Sequence, residues 1–159
     1  MTFIERIMVV LRRRTPMATV HDVAAYILSK RSPMTAMKLE KLAYYCQAWS
    51  LVWDEEPLFP EAIQAWANGP VVPELFELHR GMFKVNGWEH GNPEQLTNGE
   101  RETMDRVLKY YGGMSSLDLS NLTHKEKPWQ EARAGLGPGE RGNKVISHAS
   151  MHEYYSGLV

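Results

Sequence analysis

The sequence predicts a mainly α, compact single-domain helical fold with one short β element near residues 62–66. Three observations point there. Apolar residues recur every three or four positions over most of the chain. Helix-capping and helix-stopping residues stand at the edges of those stretches. Strand-like alternation occurs only in a short run leading into a Gly-Pro corner. A chain of 159 residues suits one domain, which at this size hides roughly two-thirds of its unfolded surface.

Taken in order, Thr19 is placed to cap a helix carrying Val20, Val23, Ala24, Ile27 and Leu28, and Ser32-Pro33 ends it. From Thr35 the stripe Leu39, Leu42, Ala43, Cys46, Trp49 and Trp53 predicts a longer helix, closed by the acidic turn and proline at 54–57. In "AWANGPVVPELF", residues 65–76, Gly69 is free to take a positive φ, Pro70 fixes its own, and Pro73 suits the first turn of a helix. This reads as an ordered corner between Trp66 and a helix that bears Leu75, Phe76 and His79 and ends at Gly81. Residues 84–96 read as a surface loop. Thr97 and Glu100 have capping-box spacing ahead of Met104, Val107, Leu108 and Tyr111. Residues 115–122 predict a short helix, and Pro128 opens another that carries Trp129 and Ala132. After the glycine-rich loop 135–144, Ser147 leads into a last helix bearing Met151, Tyr154 and Tyr155.

A formal charge of -1, with 43% hydrophobic and 23% charged residues, describes an ordinary globular protein and argues against a general nucleic-acid binder. A single cysteine, Cys46, rules out an intrachain disulfide and a thiolate zinc cluster. The apolar run at 8–11 is far short of a membrane span, and the arginines at 12–14 follow it where an export signal would have them precede it, so a cytoplasmic protein without a membrane partner is expected. Phe3, Ile4, Ile7, Met8 and Leu11 share a helical face. Residues 1–16 are therefore either a short docking helix or an extension upstream of a start at Met17, ahead of a domain at 17–159.

Candidate chemistry is sparse. Gly137, Gly139 and Gly142 have GxGxxG spacing, but a helix rather than a strand precedes them and no βαβ unit can follow, so the reading is a plain flexible loop. His148 and His152 share a helical face, yet two ligands do not make a metal site and the metalloprotease glutamate is absent. A hydrolase built on His124, His148 and His152 is the enzyme alternative. Cys46 lies on an apolar stripe and reads as core. No cofactor, metal or catalytic residue is assigned, and the protein is expected not to be an enzyme. "MKLEKLAYYCQAW", residues 37–49, places Lys38, Lys41 and Tyr45 together on what reads as a solvated face. "LTHKEKPW", residues 122–129, sets His124, Glu126 and Trp129 around a proline turn, where His124 is able to reach a carbonyl and Trp129 to anchor the corner.

Together with "PLF" at 57–59 and "ISHASMHEYY" at 146–155, these stretches resemble the Panacea antitoxin domain, the family of SocA-type antitoxins and GepA-type phage-associated proteins. The resemblance runs from Met17 to Val159. It implies an α-rich domain of a bacterial or prophage toxin–antitoxin pair that binds and neutralises a toxin encoded beside it. Family members pair with unrelated toxins, so the resemblance does not name the partner. It carries over, as motif positions of the scaffold, Lys38, Leu39, Lys41, Leu42, Tyr45 and Trp49, then Trp66, Gly69, Pro70, Val71 and Pro73, then Thr123, His124, Pro128 and Trp129. Asn68 stands where an aromatic is common.

Exposed anchors for the toxin are expected among Lys38, Lys41, Tyr45, Trp88 and the apolar N-terminal segment, with partner choice in loops 84–96 and 135–144. A homo-oligomer is compatible with this reading. Two alternatives remain beside it. One is an adaptor that hands its toxin to a cytoplasmic protease. The other is a DNA-binding regulator using the arginines at 12–14 with Lys30-Arg31, although no helix-turn-helix pattern is present.

Overall fold

The computed structural model describes residues 2–4 and 17–159; the rest of the apolar N-terminal face and the arginines at 12–14 lie outside the described residues. Among the described residues there are seven α-helices and two small antiparallel sheets, in agreement with the mainly α expectation. They follow in the order α1 (Val20–Lys30), β1 (Met34–Thr35), α2 (Ala36–Trp53), β2 (Gln64–Trp66), β3 (Gly69–Val71), α3 (Pro73–His79), β4 (Lys84–Val85), a 3-10 turn (Pro93–Gln95), α4 (Asn98–Tyr111), α5 (Ser116–His124), α6 (Lys127–Ala132) and α7 (His148–Ser156).

Local chemistry sets the boundaries. Thr19 and Asp22 form a capping box at α1, and Thr97 and Glu100 form another at α4. Thr35, Ser115 and Ser147 cap α2, α5 and α7 with their hydroxyls. Each cap satisfies backbone N–H groups that the helix itself leaves open, worth about 1 kcal/mol apiece. Pro73 and Pro128 sit in the first turns of α3 and α6, where a missing N–H costs nothing.

Helix α2 is the axis of the fold. It spans about 27 Å at 1.5 Å per residue, and α1, α4, α5, α7 and β3 all pack on it. It is consequently buried all round from Leu39 to Leu51, with no polar face. Here the expectation of a solvated Lys38, Lys41 and Tyr45 face fails. Lys41 is 1% exposed and Tyr45 is 0% exposed; only Lys38 of the three reaches the surface. The Lys41 and Tyr45 stems are apolar enough to be enclosed, and the Tyr45 hydroxyl finds an acceptor in Glu126. The side of α2 opposite its apolar stripe has its own neighbours, which the stripe alone does not reveal.

Loop 84–96 also departs from the surface-loop expectation. β4 pairs with β1, with Met34 opposite Val85. Trp88 is buried and donates from its indole to His21 Nδ1 at 3.2 Å, and Asn92 N–H donates to Asp22 Oδ1 at 2.8 Å. Its order comes from contacts with α1, distant in sequence, that no local pattern reveals. The expected β element near 62–66 is present as β2, which pairs with β3 in a hairpin with Trp66 opposite Gly69.

Candidate functional site

The Gly-Pro corner is where the sequence motifs meet. Gly69 has φ +125°, and a Cβ placed on it would stand 2.5 Å from Lys41 Cε and 3.2 Å from Thr123 Oγ1. Only glycine fits, for conformation and for space. The Lys41 chain thus passes directly beneath the hairpin, and its Nζ is buried without a hydrogen-bond partner. Burial pushes the Lys41 ammonium down to about 8, opposed in part by the Glu40 carboxylate.

Helices α5 and α6 close the corner from above. The His124 ring stacks on Trp129 at 4.0 Å between centroids, and the Trp129 indole donates to the Trp66 carbonyl at 2.8 Å. Ser120 donates to the Asn68 carbonyl at 2.7 Å. Burial, together with the charges of Lys41 and Arg133, holds the His124 imidazole below its ordinary range, while the Asn68 backbone acts the other way. Trp129 anchors the corner as the sequence suggests.

On the other flank, Glu40 is fully buried and accepts from Val72 N–H at 2.9 Å and from His79 Nε2 at 2.8 Å. This ties α2 to the start and the end of α3. One turn further along the axis, Glu126 accepts from the Tyr45 hydroxyl at 2.6 Å and the Tyr155 hydroxyl at 2.8 Å. Tyr45 stacks on Tyr111 at 4.0 Å, whose hydroxyl in turn accepts from the Trp49 indole at 2.9 Å. Burial raises the Glu126 carboxyl while the two tyrosine hydrogen bonds lower it. Both tyrosines are pushed far above their ordinary range, by burial first. α5, α6 and α7 are therefore joined to α2 through one carboxylate.

The glycine-rich loop is not free. Arg133 donates to the Ala65 carbonyl at 3.1 Å, the Gly137 carbonyl at 3.3 Å and the Glu140 carbonyl at 2.5 Å. Ala65 N–H donates to the Lys144 carbonyl at 2.9 Å, so the loop runs beside β2. Between it and the hairpin opens a cleft of about 660 Å³, whose walls include Met37, Trp66, Asn68, Phe76, Arg141 and Asn143. His148 and His152 are exposed on α7, and among the described residues no group of three His, Cys, Asp or Glu side chains is placed to hold a metal. Cys46 is buried, and burial drives its thiol far above the usual range, which is the opposite of a reactive thiolate.

The structure thus gathers Lys41, Gly69, Pro70, Val71, Thr123, His124, Trp66 and Trp129 at one place. Leu39, Leu42 and Trp49 lie in the core along α2, Pro128 is buried in the first turn of α6, and Pro73 starts α3. Of the four expected exposed anchors, Lys41, Tyr45 and Trp88 are buried and Lys38 is half-buried. The sequence reading missed Glu40, His79, Arg133 and Tyr155. A carboxylate at position 40 between the apolar Leu39 and Leu42 was the available signal, since a charge inside a buried stretch must find a partner.

The family model described as Antitoxin SocA-like, Panacea domain, matches residues 39–130. The chain belongs to this family. The matched span begins on α2 and ends on α6, so it contains the hairpin, the Glu40 cluster, Glu126 with Tyr45, and the Trp129 anchor, while Tyr155 lies beyond it. No curated protein and no solved structure matches the chain. In this Panacea domain α1, which precedes the matched span, and α7, which follows it, complete the packing around α2. Among the described residues no helix is long and apolar enough to cross a membrane.

Proposed function

We propose that this Panacea domain is an antitoxin that neutralises, by direct binding and without catalysis, a protein toxin encoded beside it, in the cytoplasm of a bacterium or its prophage. The observation that carries the reading is the family match across the corner. The corner's chemistry supports it. The buried carboxylates Glu40 and Glu126 are spent on hydrogen bonds that lock helices together, and the buried Lys41 ammonium is sealed under a glycine. Such groups build a rigid platform, and a rigid platform lowers the cost of ordering an interface on binding. A standard interface would bury about 800 Å² on each partner and rest on a few aromatic or arginine anchors.

Co-purification tests it. A tag on this chain is expected to retain the product of the adjacent reading frame in a stoichiometric complex that survives gel filtration. The adaptor variant is separated by repeating the expression in cells lacking cytoplasmic proteases: rescue that persists there comes from binding alone. Loss of both complex and rescue under all conditions would remove the proposal.

A further inference from the structure

Away from the corner, the ends of α2 and α4 form an aromatic surface of a particular charge pattern. Trp53 stacks on Trp49 at 4.7 Å and carries the Arg106 guanidinium over its ring at 4.0 Å. Tyr110 is 75% exposed and Leu158 is 55% exposed beside them, lining one shallow cleft. A half-buried Trp53 and an exposed Tyr110 next to Arg106 have the composition of an interface anchor.

The charges around this patch are separated along α4. Thr103 donates to Asp54 at 2.7 Å, which fixes the acidic turn with exposed Glu55 and Glu56 at one end. Exposed Glu102 lies toward the same end. Lys109 stands at the other, six residues or about 9 Å along the helix from Thr103. Arg106 lies between. Among the described residues, none of Glu55, Glu56, Glu102, Arg106 and Lys109 lies within ion-pair distance of an opposite charge; the ion pairs there join His79 to Glu40 and Arg101 to Glu94.

A strip that is acidic at one end, aromatic in the middle and cationic at the other is complementary to itself when turned through 180°, which is what a two-fold interface requires. We infer that this face pairs with the same face of a second copy of the chain about a two-fold axis at Trp53, so that Arg106 and Lys109 lie on the cationic side of that axis and the acidic turn on the other. The acidic turn of each copy then meets Lys109 of the other, and the two Tyr110 rings cover the exposed aromatic surface. A partner of single charge would satisfy one end and repel the other, so the charge separation favours a second copy.

Sedimentation velocity of the full chain across about 5–200 µM tests this. A concentration-dependent dimer is expected. Lys109→Glu alone and Glu56→Lys alone each weaken it by about tenfold or more, as like charges then face each other. An equimolar mixture of the two variants restores association. Tyr110→Ser, which changes no charge, also weakens the dimer. All these side chains are exposed, and unchanged circular dichroism confirms that each variant is folded. A monomer at about 200 µM, a dimer indifferent to every variant, or a mixture that fails to recover would each overturn the inference.

Discussion

Replacing Gly69 by alanine tests the corner most sharply, because two costs can be separated. The first is conformational: an L-residue held at φ +125° is strained by about 1–2 kcal/mol. The second is space. The new methyl would lie 2.5 Å from Lys41 Cε, 3.2 Å from Thr123 Oγ1 and 3.3 Å from Lys41 Nζ. The lysine chain is flexible in itself, but it is enclosed and has nowhere to swing, so overpacking adds about 1–3 kcal/mol. The sum, about 2–5 kcal/mol, corresponds to a fall in Tm of about 6–15 °C at roughly 3 °C per kcal/mol for a domain of this size.

Gly81 supplies the control. It also has a positive φ, +84°, but a Cβ there meets nothing within 4 Å. Gly81→Ala should therefore cost the strain alone, about 1–2 kcal/mol. Thermal melts and urea titrations of both variants give the difference. In a Lys41→Ala background the Gly69→Ala cost should shrink toward the Gly81 value, leaving only the Thr123 contact at 3.2 Å, a coupling that a double-mutant cycle reads directly. Equal costs for Gly69→Ala and Gly81→Ala would refute the close approach beneath the hairpin.

Further predictions concern the buried polar groups. Lys41 loses its proton more readily in the folded chain, at about 8 against an ordinary 10.5, so the unfolded chain binds more protons there and stability rises with pH. Between about pH 7 and 9.5 the gain over Lys41→Met should be on the order of 2 kcal/mol; parallel stability curves for the two proteins would contradict it. Glu40→Ala leaves the Val72 N–H and the His79 ring without their acceptor and should cost about 3–5 kcal/mol by urea titration, while Glu40→Gln should recover part of that. Trp129→Ala removes the stack on His124 and the hydrogen bond to Trp66, and a loss of about 3 kcal/mol is expected; a melt unchanged from the parent would show that the anchor is idle.

What could be read in the sequence follows its physics. Capping boxes at Thr19 and Thr97, prolines at 73 and 128 and the glycine at 69 act within a few residues, so each declares itself locally. Long-range partners do not. Tyr45 and Lys41 look like a wetted face until β3 and α7 are placed over them, and Trp88 looks like loop until α1 supplies His21. The glycine loop reads as flexible because nothing nearby reveals that Arg133 holds its carbonyls. The corner was legible as an ordered device from Gly69 and Pro70 alone. Its dependence on Glu40, 32 residues before Val72, was not.

The proposal that this Panacea domain protects a cell by binding a toxin is testable in living cells. The most direct measurement is growth: the adjacent reading frame is induced in a bacterium with and without this chain, and the tagged chain is recovered from the surviving cells. Arrest by the neighbour alone is expected, with growth restored together with a stable one-to-one complex. A harmless neighbour, or rescue without any complex, would contradict it.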